Sequence, residues 1–351
     1  MENCLSEDLD HIIRHTEDLW AGMRGERLFL TGGTGFVGSW LLESLLWANR
    51  RLNLGVRCSV LTRDPARFEQ RCPHLACNEA VTLLAGDAAS FNFPDGCFSF
   101  VVHAASGTYR PATPESLVGW FDRDVEATRT VLEFARICGA VRLLFTSSGA
   151  VYGRQPEQMA RVPEEYAGAV LPNDVNAAYG HAKRTSEFLC SCYARAYGFD
   201  AAIARLFAFY GPYLPLDGQY AIGNFIADAL SGRPLHISGD GTACRSYLYA
   251  ADMAIWLWAI LLRGQSGSPY NVGSPQAVSI AELAAAVRRT VAEEVEIRIA
   301  QAPRQGAEPS RYVPAVERAE RELGLKVWIP LEEGIRRMWS WHAASLEAGI
   351  S

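Results

Sequence analysis

A glycine pattern near the N-terminus restricts the fold more than any other feature of this chain. Gly32, Gly35 and Gly38 have the spacing G-x-x-G-x-x-G and follow an apolar run, Leu28–Leu30. An apolar segment with helical spacing, 36–49, comes directly after them. A strand, a glycine-rich turn and a helix in this order can bind a pyrophosphate, because the helix N-terminus offers unpaired N–H groups and a positive dipole. The sequence therefore predicts a dinucleotide site at this turn.

Each position of the turn has its own expected role. Gly32 permits the tight turn, Gly35 lets the backbone approach a pyrophosphate, and Gly38 lets the helix lie close to the strand. Phe36 and Val37 follow in the first helical turn, where we expect their backbone to border the cofactor as well.

Strand-like and helix-like segments alternate from residue 25 onward. The predicted strands are 27–31, 56–62, 81–85, 99–103, 141–147 and 200–206, and the predicted helices are 36–49, 114–139 and 177–197, with a less regular segment at 65–78. Such alternation builds βαβ units. We therefore expect an α/β fold with a Rossmann-type, doubly wound parallel sheet.

The rest of the chain adds to this sheet at both ends. Residues 1–24 have a rough helical spacing of apolar residues and predict an N-terminal helical extension. After Tyr210 the periodicity gives way to loops rich in Gly and Pro, with predicted helices at 220–231, 279–293 and 331–345. We expect a dinucleotide-binding domain, a segment that returns to it, and a smaller C-terminal lobe over the carboxyl edge of the sheet, where open α/β sheets bind ligands. The expected ranges are 25–205 for the domain, 243–272 for the returning segment, and 206–242 with 273–351 for the lobe.

Charge and cysteine content argue against several classes of protein. The chain has 33 basic and 39 acidic residues, a formal net charge of −6 and no basic run, which argues against nucleic acid or an anionic membrane surface as a partner. Its nine cysteines are scattered and lack paired C-x-x-C spacing, which fits a reducing cytosol better than a disulfide or zinc framework. The N-terminus is acidic, unlike a signal peptide, and the most apolar stretch, Tyr249–Leu262, is shorter than the ~20 residues of a membrane span. We expect a soluble, cytoplasmic protein with no metal site.

The end of the second predicted strand bears on which dinucleotide binds. Arg63 at this place would accommodate the 2′-phosphate of NADP, whereas Asp64 would hold the ribose hydroxyls of NAD. A solvated charged turn before Pro65 explains both residues equally well. The choice between NAD and NADP therefore stays open from the sequence.

The ends of the next two strands are also expected to border the cofactor. Asp87 follows the third strand and is placed to accept a hydrogen bond from the adenine amino group. Ala104 and Ala105 follow the fourth, where small side chains let the backbone lie against the cofactor. His103 ends that strand, and we expect it to be a packed or hydrogen-bonded structural residue.

A tyrosine and a lysine four residues apart supply the candidate chemistry. Tyr179 and Lys183 share one face of a predicted helix. A free tyrosine has a pKa of ~10, but an adjacent ammonium and a positive nicotinamide ring both favour its phenolate, which makes Tyr179 a candidate acid and base. The spacing alone is common on helix surfaces. Thr146–Ser148 strengthens the interpretation, because hydroxyls at the end of a strand behind the glycine turn can bond the same substrate oxygen.

Taken together, these motifs resemble those of the extended short-chain dehydrogenases/reductases, the family of nucleotide-sugar epimerases and dehydratases. The resemblance runs from about residue 25 to the end and rests on Gly32–Gly38, His103–Ser106, Thr146–Gly153, Tyr179 with Lys183, Arg205–Pro212 and Arg245–Tyr249. It implies a Rossmann domain with a nucleotide-sugar lobe, a nucleotide-diphosphate sugar as substrate, and a homodimer formed through the helices near 114–139 and 177–197.

The resemblance also implies roles for individual residues. Ser148 occupies the position of the catalytic Ser or Thr, Tyr179 that of the base, and Lys183 that of the residue that holds the nicotinamide ribose. Arg245 and Arg304 look like the arginines that clamp the sugar-nucleotide pyrophosphate through charge-assisted hydrogen bonds. Further candidates for the substrate pocket are Ser106, Asn224 and Asn271.

Departures from the family pattern bear on the reaction. The 4,6-dehydratases and uronate decarboxylases of the family carry one or two acidic residues directly after the catalytic Ser or Thr, and here those positions are Gly149 and Ala150. Asp124 stands where many relatives have Asn. Without the extra acid, reactions that need only the Tyr/Ser pair are favoured over dehydration and decarboxylation.

We therefore expect an NAD(P)-dependent nucleotide-sugar C4 epimerase that acts through a transient keto sugar. An NADPH-dependent 4-keto-sugar reductase is the alternative, and Arg63 motivates it. A non-enzymatic cofactor-binding protein would be the expectation if Tyr179 or Lys183 were missing, since a fold alone does not determine a function.

Overall fold

The computed structural model describes residues 4–106, 113–168, 170–216, 218, 220–303, 306 and 308–347. The strands are β1 (Arg27–Thr31), β2 (Arg57–Thr62), β3 (Val81–Ala85), β4 (Phe100–His103), β5 (Arg142–Ser148), β6 (Asp200–Leu206), β7 (Phe209–Tyr210), β8 (Leu235–Ile237), β9 (Cys244–Arg245), β10 (Leu248–Tyr249), β11 (Pro269–Val272), β12 (Val278–Ser279), β13 (Ile297–Ile299) and β14 (Arg311–Tyr312). The helices are α1 (Ser6–Thr16), α2 (Phe36–Leu52), α3 (Pro65–Arg71), α4 (Pro73–Ala76), α5 (Pro114–Ile137), α6 (Ala178–Tyr197), α7 (Ala221–Leu230), α8 (Ala250–Arg263), α9 (Ile280–Val291), α10 (Glu317–Leu323) and α11 (Leu331–Glu347). Short 3₁₀ helices lie at Trp20–Met23, Gly149–Tyr152 and Val175–Ala177.

A seven-stranded sheet forms the centre of the fold, in the order β11-β6-β5-β4-β1-β2-β3. Each pair of neighbouring strands in this sheet is parallel. The strand order reverses between β1 and β4, so the carboxyl ends of these two strands border a crevice of the kind in which open α/β sheets bind ligands. The expected α/β fold with a Rossmann-type, doubly wound parallel sheet is confirmed.

Apolar layers cover both faces of this sheet, because successive side chains of each strand point to opposite faces. Leu28 and Leu30 belong to a core with α1, α2 and α8, whereas Phe29 belongs to a second core with α5 and α6. Helix α8 is buried along 250–261, as expected for a helix that is apolar on every side. It accounts for the most apolar stretch of the sequence. Among the described residues, no helix combines enough length and apolar character to cross a bilayer.

The predicted elements agree with the structure in type and nearly in extent. Each predicted strand is present within one residue at either end, and the helix predicted at 36–49 runs on to Leu52. The segment 65–78 is two short helices, because Pro73 has no N–H with which to continue α3. Strand β11 joins the sheet without having been predicted, and α8, which contains the helix-like apolar stretch Tyr249–Leu262, packs on β5, β6 and β11.

The N-terminal helix is fixed to the rest of the protein by polar contacts. The Tyr249 hydroxyl donates a hydrogen bond to Asp8 (2.7 Å), and His11 Nε2 lies 3.1 Å from Asp252 Oδ1. Helix α1 therefore packs on α8 as a continuous part of the core.

Short elements after β6 cover the carboxyl edge of the sheet. Helices α7, α9 and α11 pack on one another, and β9 pairs with both β12 and β14. In the β9–β14 pair, Arg245 lies opposite Tyr312. The Tyr312 hydroxyl donates to the carbonyl oxygen of Leu206 (3.3 Å) at the end of β6, so this small sheet stands directly over the carboxyl edge.

Candidate active site

The glycine turn joins β1 to α2 with no room for larger residues at two positions. Gly32 has a φ of +71°, and a Cβ there would lie 2.5 Å from the carbonyl carbon of Ala104. A Cβ on Gly38 would overlap the carbonyl oxygen of Gly32. Gly35 precedes the first residue of α2 and has more space, since its Cβ would lie 3.4 Å from that same oxygen. The turn therefore brings bare backbone to the crevice between β1 and β4.

A cleft of about 460 Å³ begins at this turn and follows the ends of β2, β3 and β4. Most of the residues that the sequence assigns to the cofactor line this cleft, namely Gly32, Gly35, Arg63, Asp64, Asp87, Ala104 and Ala105. The substrate candidate Ser106 lines it as well. Phe36 and Val37 lie in the first turn of α2, where their side chains pack on the core. Backbone at the glycine turn, small residues opposite it and polar residues at the rim fit a dinucleotide.

Ser148 and Tyr179 belong to two elements that pack against each other near this cleft. Ser148 ends β5, and its Oγ accepts a hydrogen bond from the Ala150 N–H (3.1 Å). Tyr179 lies in the first turn of α6, half-buried, with its ring 5.7 Å from that of Trp120, which lines the cleft. A Cβ on Gly180 would lie 2.5 Å from the Ala150 carbonyl oxygen, so α6 packs tightly against the turn that follows Ser148. Ser148 and the first turn of α6, which carries Tyr179, therefore lie at the same edge of the sheet.

Lys183 lies one helical turn after Tyr179 and is almost completely buried. Its Nζ is 5.8 Å from the centre of the Tyr179 ring and 5.1 Å from that of Phe145. The same ammonium lies 3.4 Å from Oδ2 of Asp124, whose other oxygen accepts a hydrogen bond from the Ser106 hydroxyl (3.1 Å). The family's usual Asn is thus replaced by a carboxylate that forms an ion pair with Lys183.

Tyr312 completes the site and was not predicted. Its hydroxyl oxygen lies 3.5 Å from Ser148 Oγ, and a Cβ on Gly149 would lie 2.6 Å from it. The phenol therefore fills the space that a side chain at position 149 would need. Burial raises the pKa of the Tyr312 phenol, so this group stays protonated and can donate a hydrogen bond but is a poor base. Its place follows from the pairing of β14 with β9, which no local pattern reveals.

A buried ion pair holds the end of β5 from behind. Arg205 Nη2 lies 2.7 Å from Glu187 Oε2, and the Ser147 hydroxyl donates to the same carboxylate (2.5 Å). Arg205 also donates to the Tyr152 hydroxyl (2.8 Å). These contacts connect Ser147, just before Ser148, and Tyr152, at the end of the following turn, to β6 and α6.

Two of the residues named from the sequence are internal. His103 is buried between Thr31 Oγ1 (2.8 Å) and Thr128 Oγ1 (3.3 Å), and burial lowers its pKa to about 3, with the Lys183 charge as a second cause. It is a neutral structural residue, as expected. Asn271 was expected in the substrate pocket, but its side chain has no exposed surface.

The Asn271 amide is fully used inside the protein. It accepts from the Tyr152 hydroxyl (2.7 Å) and donates to the carbonyl oxygens of Val162 (2.8 Å) and Ala315 (3.0 Å). The expectation that Asn271 contacts substrate is therefore corrected, because a ligand would have to break three internal hydrogen bonds to reach it.

The remaining substrate candidates lie on elements that follow β6 or outside the described residues. Arg245 lies beside Tyr312, and its guanidinium donates to the carbonyl oxygens of Cys244 (2.8 Å) and Ser310 (3.3 Å). Asn224 lies on α7, away from the cleft lining, and accepts from the Gly218 N–H (2.9 Å). Arg304 lies outside the described residues.

Other groups line the cleft that sequence reasoning did not select. Trp120 comes from α5, and three further arginines, Arg67, Arg71 and Arg123, stand around the rim. In the described part of the chain all nine cysteines are free, and no three His, Cys, Asp or Glu side chains are arranged to hold a metal ion.

Comparison with known proteins agrees with this geometry. The model of the NAD-dependent epimerase/dehydratase family matches residues 28–273. UDP-glucuronic acid decarboxylase 6 of Arabidopsis thaliana is 30% identical over 316 residues, which cover 89% of this chain and 87% of the relative. Among solved structures, an epimerase of Methanothermobacter thermautotrophicus has a TM-score of 0.79 at 21% identity and covers 96% of this chain and 97% of its own. The UDP-glucuronic acid 4-epimerase of Bacillus cereus, solved with NAD, has a TM-score of 0.75 at 22% identity, with 92% and 98% covered.

Proposed function

The chain belongs to the NAD-dependent epimerase/dehydratase family, and on that premise we propose that it is a nucleotide-sugar C4 epimerase acting through a transient 4-keto sugar. One observation carries the proposal. The turn after Ser148 packs against the start of α6, which carries Tyr179, and the space after Ser148 holds a glycine, an alanine and the phenol of Tyr312 in place of a carboxylate. Ser148 and Tyr179 can thus exchange a proton at one hydroxyl, whereas the positions directly after Ser148 lack the acid that a second carbon centre would need.

The chain's own residues account for proton movement at the sugar. A nicotinamide cofactor, NAD or NADP, supplies the acceptor and donor of hydride when bound. Tyr179, as a phenolate, takes the proton of the C4 hydroxyl, and it returns that proton to the C4 oxygen after the keto sugar has turned its opposite face toward the hydride donor. Ser148 holds the C4 oxygen by a hydrogen bond. Lys183 holds its buried ammonium beside the ring, where negative charge develops during proton transfer.

Decarboxylation of a uronic acid sugar is a second candidate, favoured by the sequence relatives. A 4-keto uronate is a β-keto acid, so loss of CO₂ leaves the electron pair of the broken bond on the C4 carbonyl and requires a proton at C5. Gly149 and Ala150 cannot supply that proton. The Tyr312 hydroxyl is the atom nearest to a Cβ at position 149, so Tyr312 would have to supply the proton instead.

Product analysis distinguishes these reactions. We would incubate the protein with NAD or NADP and a panel of UDP-, dTDP- and GDP-hexoses and UDP-glucuronic acid, and follow mass and C4 configuration by mass spectrometry and NMR. A separate reaction would contain NADPH and a nucleotide-linked 4-keto-6-deoxyhexose. The proposal predicts a product of unchanged mass with inverted C4, absent with Tyr179→Phe. Loss of CO₂ would establish the second candidate, and stoichiometric consumption of NADPH would establish the reductase expected as the alternative from the sequence. Loss of water would contradict all three.

We also infer a homodimer through α5 and α6. Their outer faces expose large apolar side chains, Val118 and Ile137 on α5 and Phe188 and Tyr197 on α6. Phe188 is 67% exposed, so Phe188→Glu should separate the protomers in light scattering after size exclusion without unfolding them. A monomeric wild-type protein would contradict this inference.

A further inference from the structure

Positive charge is concentrated around the dinucleotide cleft. Arg63, Arg67, Arg71 and Arg123 line it, and all four are exposed. Within the described ranges, none of them forms an ion pair with a carboxylate. The chain as a whole carries a formal charge of −6, so this grouping is a local feature. It indicates a ligand with more negative charge than the pyrophosphate alone would require.

The two carboxylates at the same rim are engaged by backbone groups. Asp64 Oδ1 accepts from the Arg67 N–H (3.0 Å) and so caps α3. Asp87 Oδ1 accepts from the Ala89 N–H (3.0 Å) in its own turn. One oxygen of the side chain that would bind the ribose hydroxyls of NAD is therefore held by the backbone of α3.

Strand β2 itself ends on an uncharged residue. Thr62 is its last residue, and Thr62 Oγ1 accepts from the Asp64 N–H (3.3 Å). Arg63 comes directly after the strand end. In Rossmann domains a carboxylate near this point holds the 2′-hydroxyl of NAD, whereas an arginine accommodates the 2′-phosphate of NADP.

From these contacts we propose that Arg63 and Arg67 form a subsite for a 2′-phosphate, so that the protein binds NADP(H) in preference to NAD(H). The inference depends on the proposed function only in taking this cleft as the dinucleotide site. Planar guanidinium groups suit a phosphate, because they donate paired, charge-assisted hydrogen bonds to its oxygens. Arg71 donates to the carbonyl oxygen of Thr34 in the glycine turn, and we assign its charge to the pyrophosphate.

Binding of adenosine fragments tests the subsite without turnover. Isothermal titration calorimetry of the full chain with 2′,5′-ADP and with 5′-ADP compares ligands of the same composition that differ in where the second phosphate is attached. NADP⁺ and NAD⁺ are then titrated in the same way. We expect NADP⁺ to bind at least about tenfold more tightly than NAD⁺, and 2′,5′-ADP to bind more tightly than 5′-ADP.

Substitutions assign the preference to named residues. Arg63→Ala and Arg67→Ala should each reduce the NADP⁺ to NAD⁺ affinity ratio about tenfold, with NAD⁺ affinity changed by less than about twofold. Arg57→Ala is the matched control, because Arg57 is exposed at the opposite end of the same strand. Equal or tighter binding of NAD⁺ to the wild-type protein overturns the proposal, and so does a ratio that Arg63→Ala leaves unchanged.

The outcomes separate this proposal from the proposed function. A protein that prefers NADP⁺ but does not epimerise any sugar supports the subsite and contradicts the function. A protein that epimerises a sugar with NAD⁺ and does not prefer NADP⁺ supports the function and contradicts the subsite. Absence of any dinucleotide binding overturns both.

Discussion

The ammonium nitrogen of Lys183 lies 3.4 Å from Oδ2 of Asp124, and both side chains are buried beneath the cleft. The same ammonium lies beside the ring of Tyr179. Asp124 thus provides a counter-charge for an ammonium that has almost no contact with solvent. The residue at position 124 therefore helps to hold Lys183 in place beside Tyr179.

Asp124→Asn should lower the free energy of unfolding by about 3 kcal/mol, because it leaves the Lys183 ammonium buried without a carboxylate. The measurement is chemical denaturation of both proteins at neutral pH. Ser106→Ala is the control, because it removes a hydrogen bond to Asp124 without removing the charge. Equal stability of Asp124→Asn and wild type would contradict this account of the pair.

Tyr312→Phe should lower kcat about fivefold while changing KM little. The substitution removes the hydroxyl that contacts Ser148 and Leu206, which is worth about 1 kcal/mol, and keeps the ring that packs on Phe207. Tyr166→Phe is the control, because Tyr166 belongs to the same apolar cluster and stacks on Tyr152. Wild-type kcat in Tyr312→Phe would remove Tyr312 from the positioning of Ser148.

Gly38→Ala should lower stability by roughly 1–3 kcal/mol or more and abolish dinucleotide binding. The added methyl group would overlap the Gly32 carbonyl oxygen, so α2 could not keep its place on β1. Gly119→Ala, on the exposed side of α5, meets no atom within 4 Å and should be neutral or slightly stabilising. Chemical denaturation and cofactor titration of both variants make the comparison. Normal cofactor binding by Gly38→Ala would contradict the geometry of the turn.

The contact between His74 and Glu43 predicts a pH-dependent contribution to stability. His74 Nε2 lies 2.7 Å from Glu43 Oε1, and this hydrogen bond raises the pKa of the imidazole. Because the folded-state pKa is the higher one, the stabilisation is complete below the unfolded value of ~6.5 and is lost as pH rises through the folded value. The difference in free energy of unfolding between wild type and His74→Gln should therefore be larger at pH 6 than at pH 8.5. Equal differences at the two pH values would contradict the assignment.

The sequence was sufficient for the features that local patterns determine. The glycine turn and the alternation of strands and helices depend on neighbouring residues, and the structure has them at the predicted places. Tyr312 could not be found in this way, because it reaches Ser148 through the pairing of two short strands that are far apart in the chain. Asn271 was misassigned for the same reason. Its partners come from the loop at Val162 and from Ala315, and only the folded chain shows that they use up its amide.

Tracing the hydrogen at C4 tests the central claim most directly. A nucleotide hexose that the protein converts is prepared with deuterium at C4 and incubated with catalytic enzyme and unlabelled cofactor, and the product is examined by NMR and mass spectrometry. Epimerisation through a 4-keto sugar predicts that the deuterium stays at C4 of a product of unchanged mass and inverted configuration, and that Tyr179→Phe forms none of it. Replacement of the deuterium by hydrogen, its appearance at another carbon, or a product that has lost water or CO₂ would contradict the account.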